Sequence, residues 1–294
     1  MHPTSHFVDI DGVSTHYLEM GPGLEMGPGL EIGPAPELGA PVLLLIHGGG
    51  SGAYAWGNWR DCLPAYAARF RVIAVDMPGF GRSARPDPER YNYGQTGRNR
   101  HMTAFVEHIG AGRPISIIGN SMGGATAIGV TLLRPDLVRK LVLMGAAGLD
   151  IANPDPAAKK ALASYDYTPE GMRRMVSFLA GPDFAITDEL VIYRHALTIE
   201  PGAREAMAAI HRHMQTDPMT YPPEAIASIT VPTLVVGGKQ DQVAVLARIY
   251  GYLDLIPNSW GFILPHSGHW VMMEAPREFV AVTTAFLADG QFGA

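Results

Sequence analysis

Residues 115–128 read ISIIGNSMGGATAI. The run Ile115 to Ile118 has the β-branched character of a buried strand, and Ala125-Thr126-Ala127-Ile128 reads as the start of a helix. Between them stands Gly119-Asn120-Ser121-Met122-Gly123-Gly124. A serine at the apex of a sharp strand-to-helix turn is lifted clear of the sheet, and glycines two residues to either side remove side chains that would collide there. A glycine-rich turn with an incidental serine has the same local look. The rest of the chain decides between them.

Working outward, short Val/Ile/Leu runs at Val42–Ile46, Val72–Val75, Ile115–Ile118, Leu141–Met144 and Thr233–Val236 alternate with helical patterns. These patterns lie at Asn58–Ala68, Gly94–Ile109, Ser121–Leu133, Val243–Leu253 and Arg277–Leu287. Such alternation predicts a mostly parallel sheet covered on both faces by crossover helices. Phe7–Ile10 and Thr15–Leu18 flank Asp11-Gly12 and predict an opening hairpin. The rhythm breaks between Gly148 and Pro223, where helical patterns at Gly171–Ala180, Asp188–Leu197 and Ala203–Met214 appear without a strand. This reads as a helical lid, residues 149–223, over a core made of residues 1–148 and 224–294, at the strand ends where open α/β sheets bind ligands. From Glu19 to Pro34 a six-residue unit recurs, with Gly and Pro in each copy. It is read as a duplicated surface loop, because lengthening a loop costs little closure entropy.

A serine hydroxyl is a poor nucleophile at neutral pH, so the elbow requires a later acid and then a histidine, each after a strand. Asp241 follows Thr233-Leu-Val-Val-Gly-Gly-Lys-Gln, and His269 follows Gly261-Phe-Ile-Leu-Pro-His-Ser-Gly. The expected roles are Ser121 as nucleophile, His269 as general base and Asp241 as the carboxylate that orients it. Alone, Asp241 could cap the following helix and His269 could be structural. After Val42–Ile46 comes His47-Gly48-Gly49-Gly50, a lipase-like loop whose backbone amides can approach an oxyanion; Gly49 and the amide of Met122 are assigned to that hole. His47 reads as an anchor of the loop. Together these define an α/β-hydrolase fold. A dinucleotide site would want a different glycine pattern after the first strand. No metal is expected: His211 and His213 point apart on a helix, and His266 with His269 lack a carboxylate cluster.

With 294 residues, 47% hydrophobic and 17% charged, the chain can bury the core of one large domain. A formal net charge of -6 without a basic run argues against nucleic acid and anionic membranes as partners. No apolar run has transmembrane length, the N-terminus lacks a secretory pattern, and the single Cys62 is read as a buried thiol. The expected address is the cytoplasm.

The combination of His47-Gly-Gly-Gly-Ser-Gly, Trp56-Gly-Asn58-Trp59, Gly-Asn-Ser121-Met-Gly-Gly-Ala-Thr and Ser267-Gly-His-Trp resembles the meta-cleavage product hydrolases of bacterial aromatic degradation. The resemblance covers nearly the whole chain. Tyr165-Asp-Tyr-Thr-Pro-Glu-Gly-Met and Asp254-Leu-Ile-Pro-Asn-Ser-Trp-Gly-Phe-Ile-Leu-Pro-His bring it nearest to the carbazole-type enzymes. It implies cofactor-free C–C bond hydrolysis of a 2-hydroxy-6-oxo-hexa-2,4-dienoate, 6-aryl in the carbazole type, to 2-hydroxypenta-2,4-dienoate and a carboxylic acid. It also implies a homo-oligomer, and a polar subsite for the dienoate made by Asn58, Asn120, Arg194 and Trp270 with backbone of Gly49 and Gly50. A guanidinium suits a carboxylate in a two-pronged pair, although Arg194 could instead form an ion pair with Glu189. A carboxylesterase of the same fold and a non-catalytic binding scaffold are the competing readings. A neutral ester gives Arg194 and Asn120 no charged partner, binding alone needs no triad, and a dehalogenase would want Asp at position 121. Two features depart from the family pattern: the lack of a Pro shortly after Asp241, and the Glu19–Pro34 repeat.

Overall fold

The computed structural model describes residues 2–22, 40–151 and 164–288. The Glu19–Pro34 repeat beyond Pro22 and residues 152–163 of the expected lid therefore lie outside the described residues.

The opening strands β1 (Thr4–Ile10) and β2 (Val13–Met20) are joined at Asp11 and Gly12, whose φ values of 51° and 82° are those of the primed turn that matches strand twist. The strands β3 (Val42–Ile46), β4 (Arg71–Val75), β5 (Ile115–Asn120), β6 (Val138–Met144), β7 (Thr233–Gly238) and β8 (Ser259–Leu264) complete an eight-stranded sheet in the order β1-β2-β4-β3-β5-β6-β7-β8. Only the β1/β2 and β2/β4 pairs are antiparallel. β3, β5 and β7 are buried at every position because both sheet faces are covered. Leu44 and Ile46 pack into the layer that holds Phe105 and Ile128, while Leu43 and Leu45 pack into the layer that holds Trp59 and Phe279. That is the two-residue alternation of a strand with no solvated face.

The helices are α1 (Ala55–Trp59), α2 (Leu63–Ala67), α3 (Gln95–Gly110), α4 (Met122–Leu133), α5 (Pro169–Leu179), α6 (Asp188–Thr198), α7 (Ala203–Thr216), α8 (Pro223–Ala227), α9 (Leu246–Leu255), α10 (Val271–Glu274) and α11 (Pro276–Leu287). The single helix expected over Asn58–Ala68 is two. Pro64 stands in the first turn of α2, has no N–H and would collide with the carbonyl of residue 60, so the chain turns through a Cys62 N to Trp59 O bond of 2.9 Å instead. Cys62 is fully buried there and its Sγ donates to Met272 O at 3.3 Å. In the inserted segment Thr168 and Thr187 cap α5 and α6, accepting from Gly171 N at 2.9 Å and Leu190 N at 3.2 Å. No helix among the described residues is long and apolar enough to cross a membrane.

Candidate active site

Ser121 sits between β5 and α4 at φ 52° and ψ -116°, a strained conformation for a residue with a side chain. Close packing explains its glycine neighbours. A Cβ on Gly119 would run into the backbone of Gly123 and Gly124, and one on Gly123 into the carbonyls of Ile46 and His47. The turn thus presses α4 against the end of β3. Ser121 and His269 line one cavity, and the Ser121 hydroxyl has no hydrogen-bond partner among the described residues. In empty active sites the nucleophile–base bond is commonly long and tightens when substrate binds.

Asp241 and His269 are both buried, and Asp241 Oδ2 lies 2.7 Å from His269 Nδ1. The carboxylate is acceptor-only, so the bond places the imidazole proton on Nδ1 and leaves the Nε2 lone pair available to accept a proton. Asp241 Oδ1 accepts from Val243 N at 2.7 Å and Ala244 N at 2.8 Å. The two roles weighed for this residue, cap and histidine partner, are carried by its two oxygens. The missing Pro after position 241 leaves that turn formed by these amides.

The His47–Gly50 loop, expected to form the oxyanion hole, packs directly on the turn at Ser121. A Cβ on Gly48 would approach Asn120 Oδ1 to 2.8 Å, and one on Gly49 would approach Met122 Sδ to 2.7 Å. The Met122 amide opens α4, where no helix carbonyl reaches it. His47 anchors the loop: Nδ1 donates to Gly48 O at 2.6 Å and Nε2 accepts from Met77 N at 3.0 Å. Burial lowers its pKa, which keeps it neutral in that role.

The residues that the resemblance assigned to the dienoate end surround the same cavity, of about 850 Å³. Arg194 is 2% exposed. Its Nη2 donates to Ser51 O at 2.9 Å, its guanidinium stacks 4.8 Å from the centre of the Trp270 ring, and its Nε has no partner. The ion pair with Glu189 is not formed, and no carboxylate among the described residues balances this charge. Burial lowers the pKa of Arg194 to about 10, so it remains a cation at neutral pH. Asn120 is fully buried, donates Nδ2 to Met144 O at 3.1 Å, and accepts from Asn58 Nδ2 at 3.4 Å. That leaves Asn58 Oδ1 as a buried acceptor without a partner.

Two participants went unseen in the sequence. Gly145 has φ 52°, which favours glycine, and a Cβ there would lie 3.0 Å from His269 Nδ1, so a side chain at this position would press on the imidazole where it sits against the end of β6. Glu274 binds the histidine loop on both sides: Oε2 accepts from Gly268 N at 2.8 Å and Oε1 from Trp270 N at 2.9 Å. Its Oε2 also accepts from Gly181 N at 2.9 Å, and His269 N donates to Leu179 O at 2.8 Å, tying the segment between β6 and β7 to the His269 loop. In Glu274→Gln an amide NH2 would face a backbone N–H. The expected outcome is a kcat about 10-fold lower, from a displaced His269, and a Tm a few degrees lower, read by dienoate turnover and thermal unfolding.

A second Ser-His-Asp chain exists: Ser5 Oγ is 2.9 Å from His16 Nε2, and His16 Nδ1 is 2.7 Å from Asp76 Oδ2. Ser5 lies on the exposed face of β1 and also accepts from Arg82 Nη1 at 2.9 Å. It borders neither described cavity. Asp76 accepts from Ala55 N at 2.7 Å and Arg82 N at 2.9 Å, so this group ties β2 and the start of α1 together. What separates the two chains is a cavity and a set of amides facing the serine.

Residues 43–282 match the family model described as alpha/beta hydrolase family. The chain is 42% identical over 283 residues to the 2-hydroxy-6-oxo-6-(2'-aminophenyl)hexa-2,4-dienoic acid hydrolase of Metapseudomonas resinovorans, covering 96% of this chain and 90% of that one. It is 33% identical to the 2-hydroxy-6-oxo-2,4-heptadienoate hydrolase of Pseudomonas putida strain F1, covering 85% and 90%. Among solved structures, a serine hydrolase involved in carbazole degradation, the CarC enzyme, superposes with a TM-score of 0.83 at 40% identity over 97% of this chain and 98% of that one.

Proposed function

Since the chain belongs to the alpha/beta hydrolase family and, within it, to the meta-cleavage product hydrolases, we propose how its residues share the work of that chemistry. It is a serine-dependent hydrolase of the C–C bond in 2-hydroxy-6-oxo-hexa-2,4-dienoates, giving 2-hydroxypenta-2,4-dienoate and a carboxylic acid. The observation that carries the assignment of its own residues is Arg194, a buried cation without a protein carboxylate, beside the cavity that Ser121 enters. Arg194 holds the dienoate carboxylate. Asn58 Oδ1 accepts a hydrogen bond from the 2-hydroxyl and orients it; ketonisation then moves a proton from that hydroxyl to the chain carbon beside the distal ketone.

With the substrate ketonised, Ser121 Oγ attacks the distal carbonyl carbon as His269 Nε2 takes its proton. The amides of Gly49 and Met122 hold the resulting oxyanion. Collapse breaks the C–C bond, its electron pair spreads through the conjugated chain onto the 2-oxygen, and the proton held by His269 passes to the departing dienolate, which gives 2-hydroxypenta-2,4-dienoate and restores the neutral imidazole. His269, held by Asp241, then activates water to hydrolyse the acyl-serine. In this reading residues 149–223 form the lid, with Arg194 of α6 contributed by it. Cytoplasmic residence and homo-oligomeric assembly belong to the same reading. The free, buried Cys62 supports the first and the family resemblance the second.

The test is a spectrophotometric screen of meta-cleavage dienoates against nitrophenyl esters. Dienoates are expected to show the higher kcat/KM by at least about 100-fold, because only they satisfy Arg194. Faster loss of an ester than of every dienoate overturns the reading in favour of a carboxylesterase.

A further inference from the structure

The cavity has a second cation. Arg248 of α9 lines it together with His211 and Gln215 of α7. Arg248 Nη2 donates to Ile151 O at 3.2 Å, its Nε is buried without a partner, and no carboxylate among the described residues forms an ion pair with it. The two arginines mark different regions of the wall. Arg194 keeps company with Gly50, Ser51 and Trp270, whereas Arg248 stands by Ile151 on the helix that packs Leu149 and Ile151 against Gly251. The α7 residues Met207, Ile210 and Met214 give the cavity an apolar stretch of wall. The cavity therefore offers a cation for the dienoate carboxylate, an apolar stretch of wall, and a second cation with neighbours of its own.

We propose that Arg248, with His211 and Gln215, is a specificity-determining subsite for an oxygen acceptor, a hydroxyl or carboxylate, on the group attached to the scissile ketone. The inference rests on the reading that this cavity takes dienoates. An unpartnered guanidinium N–H is satisfied by an acceptor oxygen and left unsatisfied by a hydrocarbon edge, and sites built to hydrogen-bond a substituent discriminate strongly against analogues lacking it. An amino group, as on the substrate named for the 42% identical relative, is chiefly a donor, and the Arg248 guanidinium, which has no acceptor atom, gives it nothing to donate to.

The experiment measures kcat/KM on 6-phenyl, 6-(aminophenyl), 6-(hydroxyphenyl) and 6-(carboxyphenyl) dienoates for the wild type, Arg248→Met and Arg248→Lys. The wild type is expected to favour the hydroxylated or carboxylated substrate over phenyl by about 10- to 100-fold. That ratio collapses toward one in Arg248→Met, and Arg248→Lys keeps part of it for the carboxylate. A wild-type ratio near one, or a ratio unchanged in Arg248→Met because all substrates slow alike, overturns the subsite. Turnover of no dienoate at all overturns it together with the function on which it rests, whereas turnover without preference overturns the subsite alone.

Discussion

Replacement of Ser121 by alanine is expected to lower kcat for a dienoate by at least about 10,000-fold, since removal of a triad nucleophile leaves only the oxyanion hole and binding to assist the reaction. The hydroxyl has no hydrogen bond to lose among the described residues, and the backbone at φ 52° is set by the packing of Gly119 and Gly123 rather than by the serine. Fold and substrate affinity are therefore expected to survive, with Tm within about 1 °C of wild type. Stopped-flow spectroscopy is then expected to see the dienoate bind and ketonise without cleavage. A variant that turns over within tenfold of wild type removes Ser121 from its role.

Arg194→Met separates binding from stability. The guanidinium is expected to form charge-assisted bonds to the dienoate carboxylate in a desolvated site, and loss of such a partner costs about 2–5 kcal/mol, or about 30- to 5,000-fold in kcat/KM. Nitrophenyl ester hydrolysis, which needs no cation, is expected to change far less. The stability effect has the opposite sign from the usual core substitution. Arg194 is a buried cation balanced by one carbonyl and one aromatic face, and an uncompensated buried charge costs several kcal/mol. Methionine keeps apolar volume over Trp270, so Tm is expected to hold or rise while activity falls. A parallel loss of ester and dienoate turnover, or a large fall in Tm, contradicts a substrate-facing role.

The two variants also mark how far the chain could be read. Ser121 was visible because a strand, a sharp turn and a helix are local patterns, and the glycines beside it answer a collision that any chain would meet at that turn. Asp241 and His269 followed from their order and from the strands before them. The split of the expected 58–68 helix into α1 and α2 turned on Pro64, a residue present in the sequence but outweighed there by the apolar pattern around it. Glu274 and Gly145 gave no signal. One joins Gly181 to Gly268 across a separation in sequence that no periodicity spans, and the other lies against an imidazole brought to it from a different strand connection.

The sequence by itself determined the sheet-and-helix alternation, the turn at Ser121 and the order in which Ser121, Asp241 and His269 follow their strands, because each depends on side-chain period, on permitted backbone angles or on a few adjacent residues. Tertiary structure alone decided that Arg194 meets Ser51 and Trp270 rather than Glu189, that Asn58 keeps an open acceptor, and that Arg248 shares the cavity with Ser121. A polar side chain has the same covalent structure whether paired or unpaired. Which it becomes is settled only when distant segments close around it and remove the water that would otherwise satisfy it.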